Sequence, residues 1–107
     1  MTTGSDVGPR ARTFLLSPAS ASGKRAAMIL RDEARFPLAL QLRSREGAPI
    51  GEVFAFLSGL YFRGKLAYAR AFAEFSYVIT PCLGLLPIDE RIDAAVLRRF
   101  AEIDIHR

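Results

Sequence analysis

Thr13-Phe14-Leu15-Leu16-Ser17 and Tyr77-Val78-Ile79-Thr80-Pro81 are the two stretches that decide the fold. The first is an apolar run stopped by Pro18, and the second is rich in β-branched and aromatic residues and ends on its own proline. Runs of this kind suit strands buried on both faces, as in a parallel sheet. Parallel strands need a crossover, which is right-handed by rule and usually helical. The chain therefore reads as α/β: a partial Rossmann-like parallel sheet of two strands, Thr13–Ser17 and Tyr77–Pro81, with three to four helices.

Between the strands, Lys24–Arg31 has the composition of a helix of about two turns. Leu38, Leu40 and Leu42 alternate as in a strand, yet their residue types also form helices, and a helix is the expectation here. Arg43–Pro49 carries Ser, Gly and Pro and reads as a loop. In Ile50–Phe75, Phe54, Leu57, Leu60 and Tyr61 recur at helical spacing, as do Phe62, Leu66, Ala69 and Phe72. Gly59 and Gly64 each cost about 1 kcal/mol in a helix interior, so one kinked helix or two abutting helices are expected. The apolar stretch Cys82–Pro87 reads as a connection folded against the top of the sheet, and Asp93 as the cap of a last helix, Ala94–Glu102.

A length of 107 residues, half of them apolar, allows one small domain. Residues 1–12 are polar, without the apolar core of a secretory signal, and read as a disordered tail. Residues 13–107 form a single α/β segment. Arg63, Lys65 and Arg70 interrupt the longest apolar stretch, so no membrane span is expected. One cysteine, Cys82, and one histidine, His106, can build neither a disulfide nor a zinc site, which points to a reducing, cytoplasmic setting without metal or cofactor. The net charge of +4 permits nucleic acid or a small anionic ligand as a partner, although the basic residues are spread along the chain.

Two strands are few for a parallel sheet, since each open edge exposes backbone donors and acceptors. The segment thus reads as an incomplete domain. The alternative is a small complete domain that forms a homo-oligomer through an exposed sheet edge.

In open α/β sheets, ligands bind beyond the carboxyl ends of the strands. The loops Pro18–Gly23 and Pro81–Asp89 are expected there. Ser22-Gly23-Lys24 approaches a phosphate-binding loop, but Pro18 replaces the first glycine and Arg25 the magnesium-binding hydroxyl. Two readings fit: Ser17, Ser20, Ser22, Gly23 and Lys24 hold a phosphate or carboxylate, or the loop is merely solvated with Ser22 as an N-cap. Lys65, at the edge of its apolar stripe, either turns its charge toward the site or covers apolar surface. Thr80 ends the second strand at the expected position for substrate contact. Asp89, Glu90 and Asp93 suit general acid/base work or, more simply, the approach to a helix N-terminus. No Ser/His/Asp set or G-x-S-x-G elbow occurs, so whether the chain is an enzyme stays open.

Phe14-Leu-Leu-Ser-Pro18, Leu60-Tyr-Phe-Arg-Gly-Lys-Leu-Ala-Tyr-Ala-Arg-Ala-Phe72 and Tyr77-Val-Ile-Thr-Pro-Cys-Leu-Gly-Leu-Leu-Pro-Ile-Asp89, in this order, resemble a group of uncharacterised bacterial proteins. That group is related to the YaaA-like α/β superfamily, in which a strand and polar loop precede an "LY…arAyA" helix and a strand followed by "GLl-p-D". The resemblance spans Thr13 to Phe100 and implies a Rossmann-like sheet, a nucleic-acid or nucleobase ligand, and candidate positions Ser17, Lys65, Thr80, Gly84 and Asp89. Members are typically longer, which implies an N-terminal half here. It carries no reaction with it. Where related patterns have a polar residue after the second strand, this chain has Pro81 and Cys82. Three functions follow as expectations: binding of an anionic or nucleic-acid-type ligand, an enzyme acting on a nucleotide or nucleobase, or a segment stable only with a partner chain.

Overall fold

The computed structural model describes residues 13–17, 21, 23–58 and 60–105. In chain order its elements are β1 (Thr13–Leu16), α1 (Lys24–Leu30), α2 (Pro37–Arg43), β2 (Ala48–Pro49), α3 (Ile50–Ser58), α4 (Leu60–Phe72), β3 (Phe75–Ile79), β4 (Leu85–Pro87), β5 (Arg91–Ile92) and α5 (Ala94–Ile105). The expected tail, residues 1–12, lies outside the described residues, as do Pro18, Ser20, Ser22, Gly59 and His106.

Strand β1 pairs in parallel with β3, Thr13 beside Phe75 through Leu16 beside Val78. This is the expected parallel pair, with β1 one residue shorter at its C-terminal end and β3 shifted two residues toward its N-terminal end. β1 stops at Leu16 rather than Ser17, and β3 runs over Phe75–Ile79 rather than Tyr77–Pro81. The shift in β3 has a local cause. The Thr80 N–H bonds the Gly84 carbonyl (3.0 Å), so Thr80 already belongs to a turn, and Pro81 has no N–H for a ladder.

That turn overturns a second expectation. Cys82–Pro87 is not wholly a connection, because Leu85–Pro87 folds back as β4, antiparallel to β3, with Ile79 beside Leu85 and Tyr77 beside Pro87. The sheet is mixed and three-stranded, in the order β1-β3-β4. Pro87 is tolerated because β4 is an edge strand. A two-residue ladder, Ala48 with Ile92 and Pro49 with Arg91, is a further addition that the loop reading of Arg43–Pro49 did not contain.

The described residues hold five helices, not three to four. The extra one arises because the 50–75 segment divides into α3 and α4, one of the two outcomes its glycines allow. α2 is a helix, with Pro37 in its first turn where the missing N–H costs nothing. Asp93 caps α5, its Oδ1 accepting from the Val96 N–H at 3.0 Å, and the helix runs on to Ile105. α3 begins against the turn that follows β4. Ile50 N–H donates to Glu90 O (2.8 Å) and Gly51 N–H to Ile88 O (2.9 Å), which satisfies two of the amides a helix start leaves unpaired.

On the sheet's inner face Leu16 and Val78 are fully buried, with Leu86 beside them. The Phe54 ring of α3 makes edge contacts with Phe62 of α4 (5.8 Å) and Phe100 of α5 (6.1 Å), so one buried aromatic joins three helices. On α4, Phe62, Leu66 and Ala69 are buried as their spacing requires. Phe72 leaves that stripe, its ring meeting Tyr68 in a tilted contact at 4.9 Å, and Tyr68 in turn meets Phe14 at 5.6 Å.

Two glycines have left-handed backbone, Gly47 (φ 75°) and Gly84 (φ 70°), and they differ in surroundings. A Cβ on Gly47 would stand 2.3 Å from the Ile92 carbonyl oxygen, whereas one on Gly84 would meet open space. Gly84→Ala should therefore cost only the conformational strain, about 1 kcal/mol. Gly47→Ala should cost clearly more, about 3 kcal/mol, because the β2–β5 ladder must open as well. Chemical denaturation of both variants checks the ordering.

Candidate functional site

The carboxyl ends of β1 and β3 are where sequence reasoning expects a ligand. Ser17, Gly23 and Lys24 are exposed there, and Gly23 occupies the N-cap of α1 with extended backbone and no side-chain cap bond. This is the place assigned in advance to Ser22. Helix α1 has seven residues, too few to gather a strong dipole at the loop. Arg25, the residue that spoils the phosphate-loop pattern, reaches across to α3, where its Nη1 donates to the Phe56 carbonyl (3.1 Å) and its guanidinium lies 5.7 Å from the Phe56 ring. Lys65 is exposed on α4.

Thr80 and Gly84 are turn residues. The Thr80 hydroxyl is buried, donates to the Gly84 carbonyl (2.7 Å) and accepts from the Leu83 N–H (2.9 Å). Both of its hydrogen-bonding roles are used in closing the hairpin, while Cys82 lies exposed at the tip. Asp89 is at the other end of the sheet. β4 runs back along β3, so Pro87 is beside Tyr77 and the Ile88 N–H reaches Ser76 O at 3.2 Å. From Ser76 to Thr80 a strand rises about 13 Å. Ser17 and Thr80 therefore share one end of the sheet, and Asp89 does not join them.

What surrounds Asp89 is a cleft of about 390 Å³ lined by the end of α4 (Ala69, Arg70), the connecting Ala73 and Glu74, the start of β3 (Phe75–Tyr77) and Pro87–Asp89. Arg70 is its central charge: Nη1 pairs with Glu52 Oε2 at 3.0 Å, and Nη2 approaches Asp89 Oδ1 at 3.9 Å. All three side chains are well exposed, so these pairs contribute less than about 1 kcal/mol. Their effect is local neutralisation. With Glu74 alongside, the cleft has more carboxylates than cations and does not favour an anion. Sequence reasoning saw in Arg70 a break in the apolar stretch and had no signal for the cleft, because the turn that brings Asp89 there depends on β4.

The sheet's outer face is apolar and exposed. Side chains alternate across a strand, and the register puts Thr13, Leu15, Phe75, Tyr77, Ile79, Leu85 and Pro87 on the side away from the core. None of these is charged. Leu15, Phe75, Ile79 and Leu85 are 52, 49, 39 and 52% exposed. Expectation and structure part here: the strands have the composition of two-sided burial, but among the described residues helices cover one side only. The cleft beside Arg70 shares Phe75, Tyr77 and Pro87 with this face.

Among the described residues no group of three or more His, Cys, Asp or Glu could hold a metal ion, and no helix is long and apolar enough to cross a membrane. The turn role of Thr80 has a measurable consequence. Thr80→Val, which keeps the shape but loses the hydroxyl, should destabilise the fold by about 1–3 kcal/mol in thermal or chemical unfolding. Arg70→Ala should change it by less than about 1 kcal/mol. Compared with protein-family models, curated proteins and solved structures, the chain matches none at a significant level, so its resemblance to the YaaA-related group rests on the three quoted stretches.

Proposed function

We propose that this chain is a protein-interaction domain that works with a partner laid over the outer face of its sheet. The observation that carries this reading is the row Leu15, Phe75, Ile79 and Leu85, exposed together on a face without a single charged side chain. Isolated exposed leucines are ordinary, but a contiguous apolar patch of several hundred Å² marks a binding surface. Parallel sheets have both faces covered, and β1 and β3 form a parallel pair. Among the described residues no element lies over the outer face, and the partner supplies the second cover. The expectation of a segment that is stable only with a partner is thus closer to the geometry than the other two.

An anion-binding reading has the net charge of +4 and the exposed Ser17, Gly23 and Lys24 in its favour. It has lost Thr80 to the hairpin and Asp89 to the far end of the sheet. The enzyme reading, which needs Ser17, Thr80 and Asp89 to converge, meets the same separation.

A photocrosslinking residue in place of Leu85 tests the interaction reading in the cells from which the chain comes. It should give a discrete protein adduct, and the same probe in place of the exposed Arg99 on α5 should not. Absence of any adduct at position 85 would overturn the reading. Inorganic phosphate, in contrast, should leave the melting temperature unchanged, whereas a rise that vanishes in Lys24→Ala would favour the anion site.

A further inference from the structure

We infer that the partner over the outer face is a second copy of this chain, packed sheet against sheet about a two-fold axis near Tyr77; this rests on the reading of that face as an interface. Tyr77 is the middle residue of the central strand and belongs to the outer row, so an axis there places each copy's row on the other's. Such a contact is isologous, and its only demand on the partner is a matching charge-free apolar strip. A second copy has one by construction.

The area agrees. With about 200 Å² for a large apolar side chain, the exposed fractions of Leu15, Phe75, Ile79 and Leu85, with Tyr77 and Pro87 beside them, offer roughly 400–500 Å². One side of a standard dimer interface buries about 800 Å², of which about 60% is non-polar. The face therefore supplies the apolar part of one half-interface, with its rim left to polar neighbours. Among the described residues, the ionic groups that share the cleft with Phe75, Tyr77 and Pro87 are Arg70, Glu74 and Asp89, which are of both signs. Two twisted sheets packed this way lie about 10 Å apart, and their strands become buried on both faces, as the composition of β1 and β3 calls for.

This arrangement differs from pairing along an open edge. Edge pairing of β1 with its symmetry mate would leave β4, on the opposite edge, uninvolved. Edge pairing of β4 would involve Leu85 but keep Tyr77, on the central strand, away from its counterpart, so Leu85 and Tyr77 together separate face-to-face packing from pairing along either edge.

The test uses the full chain in sedimentation velocity over a wide concentration range, with two variants and a crosslink. The wild type should sediment as a dimer of twice 11.8 kDa. Leu85→Lys should weaken the dimer by about 30-fold or more while keeping its helical circular dichroism, and Glu102→Lys, on the exposed side of α5, should leave it intact. If Leu85→Lys fails to fold, the crosslink decides independently. Tyr77→Cys in a Cys82→Ser background should form an inter-chain bridge with a short bis-maleimide, and Arg99→Cys in the same background should not. A dimer that survives Leu85→Lys, or that gives no Tyr77→Cys bridge, would overturn the face-to-face arrangement. A monomer at every concentration would overturn the second copy; if position 85 still photocrosslinks to a different protein, the interaction reading stands without it. A monomer with no adduct removes both.

Discussion

Backbone hydrogen bonds between β1 and β3 bring Leu16 beside Val78, and the helices between them have to fit over the inner side of that pair. The constraint is costly in loop entropy, because the two strands are far apart in sequence. What offsets it is apolar burial. Leu16 and Val78 disappear beneath helices that meet at the Phe54 ring, and α3 is held at its start by carbonyls of the turn after β4. Sheet and helices therefore support each other, since neither β1 nor β3 buries anything alone.

The hairpin after β3 redistributes the functional surfaces. In an uninterrupted parallel sheet, the chain leaving β3 would stay at the carboxyl end, together with the loop after β1. Here Thr80, Pro81 and Gly84 reverse it within a few residues. β4 then carries Ile88 and Asp89 back to the start of β3, where Asp89 faces Arg70. The same reversal adds Leu85 and Pro87 to the outer row. One short turn thus takes Asp89 away from the strand-end site and widens the apolar face that stays uncovered.

Several local features were legible in the sequence because their causes are local. Asp93 stands one residue before an apolar-periodic run and caps it. Pro37 opens α2, and the glycine-interrupted 50–75 segment divides into two helices. β4 was hidden for the opposite reason. Leu85-Leu86-Pro87 has no pattern long enough to identify, and it is a strand only because β3 offers an open edge beside it. The β2–β5 ladder is similar: Ala48-Pro49 contains a proline and pairs with a two-residue partner brought close by Gly47 and Arg91, whose Nη1 donates to the Gly47 carbonyl. Thr80 looked like a strand-end contact group, and its hydroxyl went to the turn, where it accepts from the Leu83 amide and gives the Gly84 carbonyl a second donor beside the Thr80 N–H.

By itself the sequence determined the kinds of elements: two β-rich apolar runs, helices with their caps and breaks, and turns where proline and glycine demand them. These follow from dihedral preference and periodicity, which act over a few residues. Only the tertiary structure decided which side of each strand is covered, how far Asp89 lies from Thr80, and that Leu15, Phe75, Ile79 and Leu85 share one bare face. Pairing register joins residues distant in the chain, and the alternation of side chains turns that register into a choice of face. A run that is apolar on both sides carries no mark of which side its own chain will leave open.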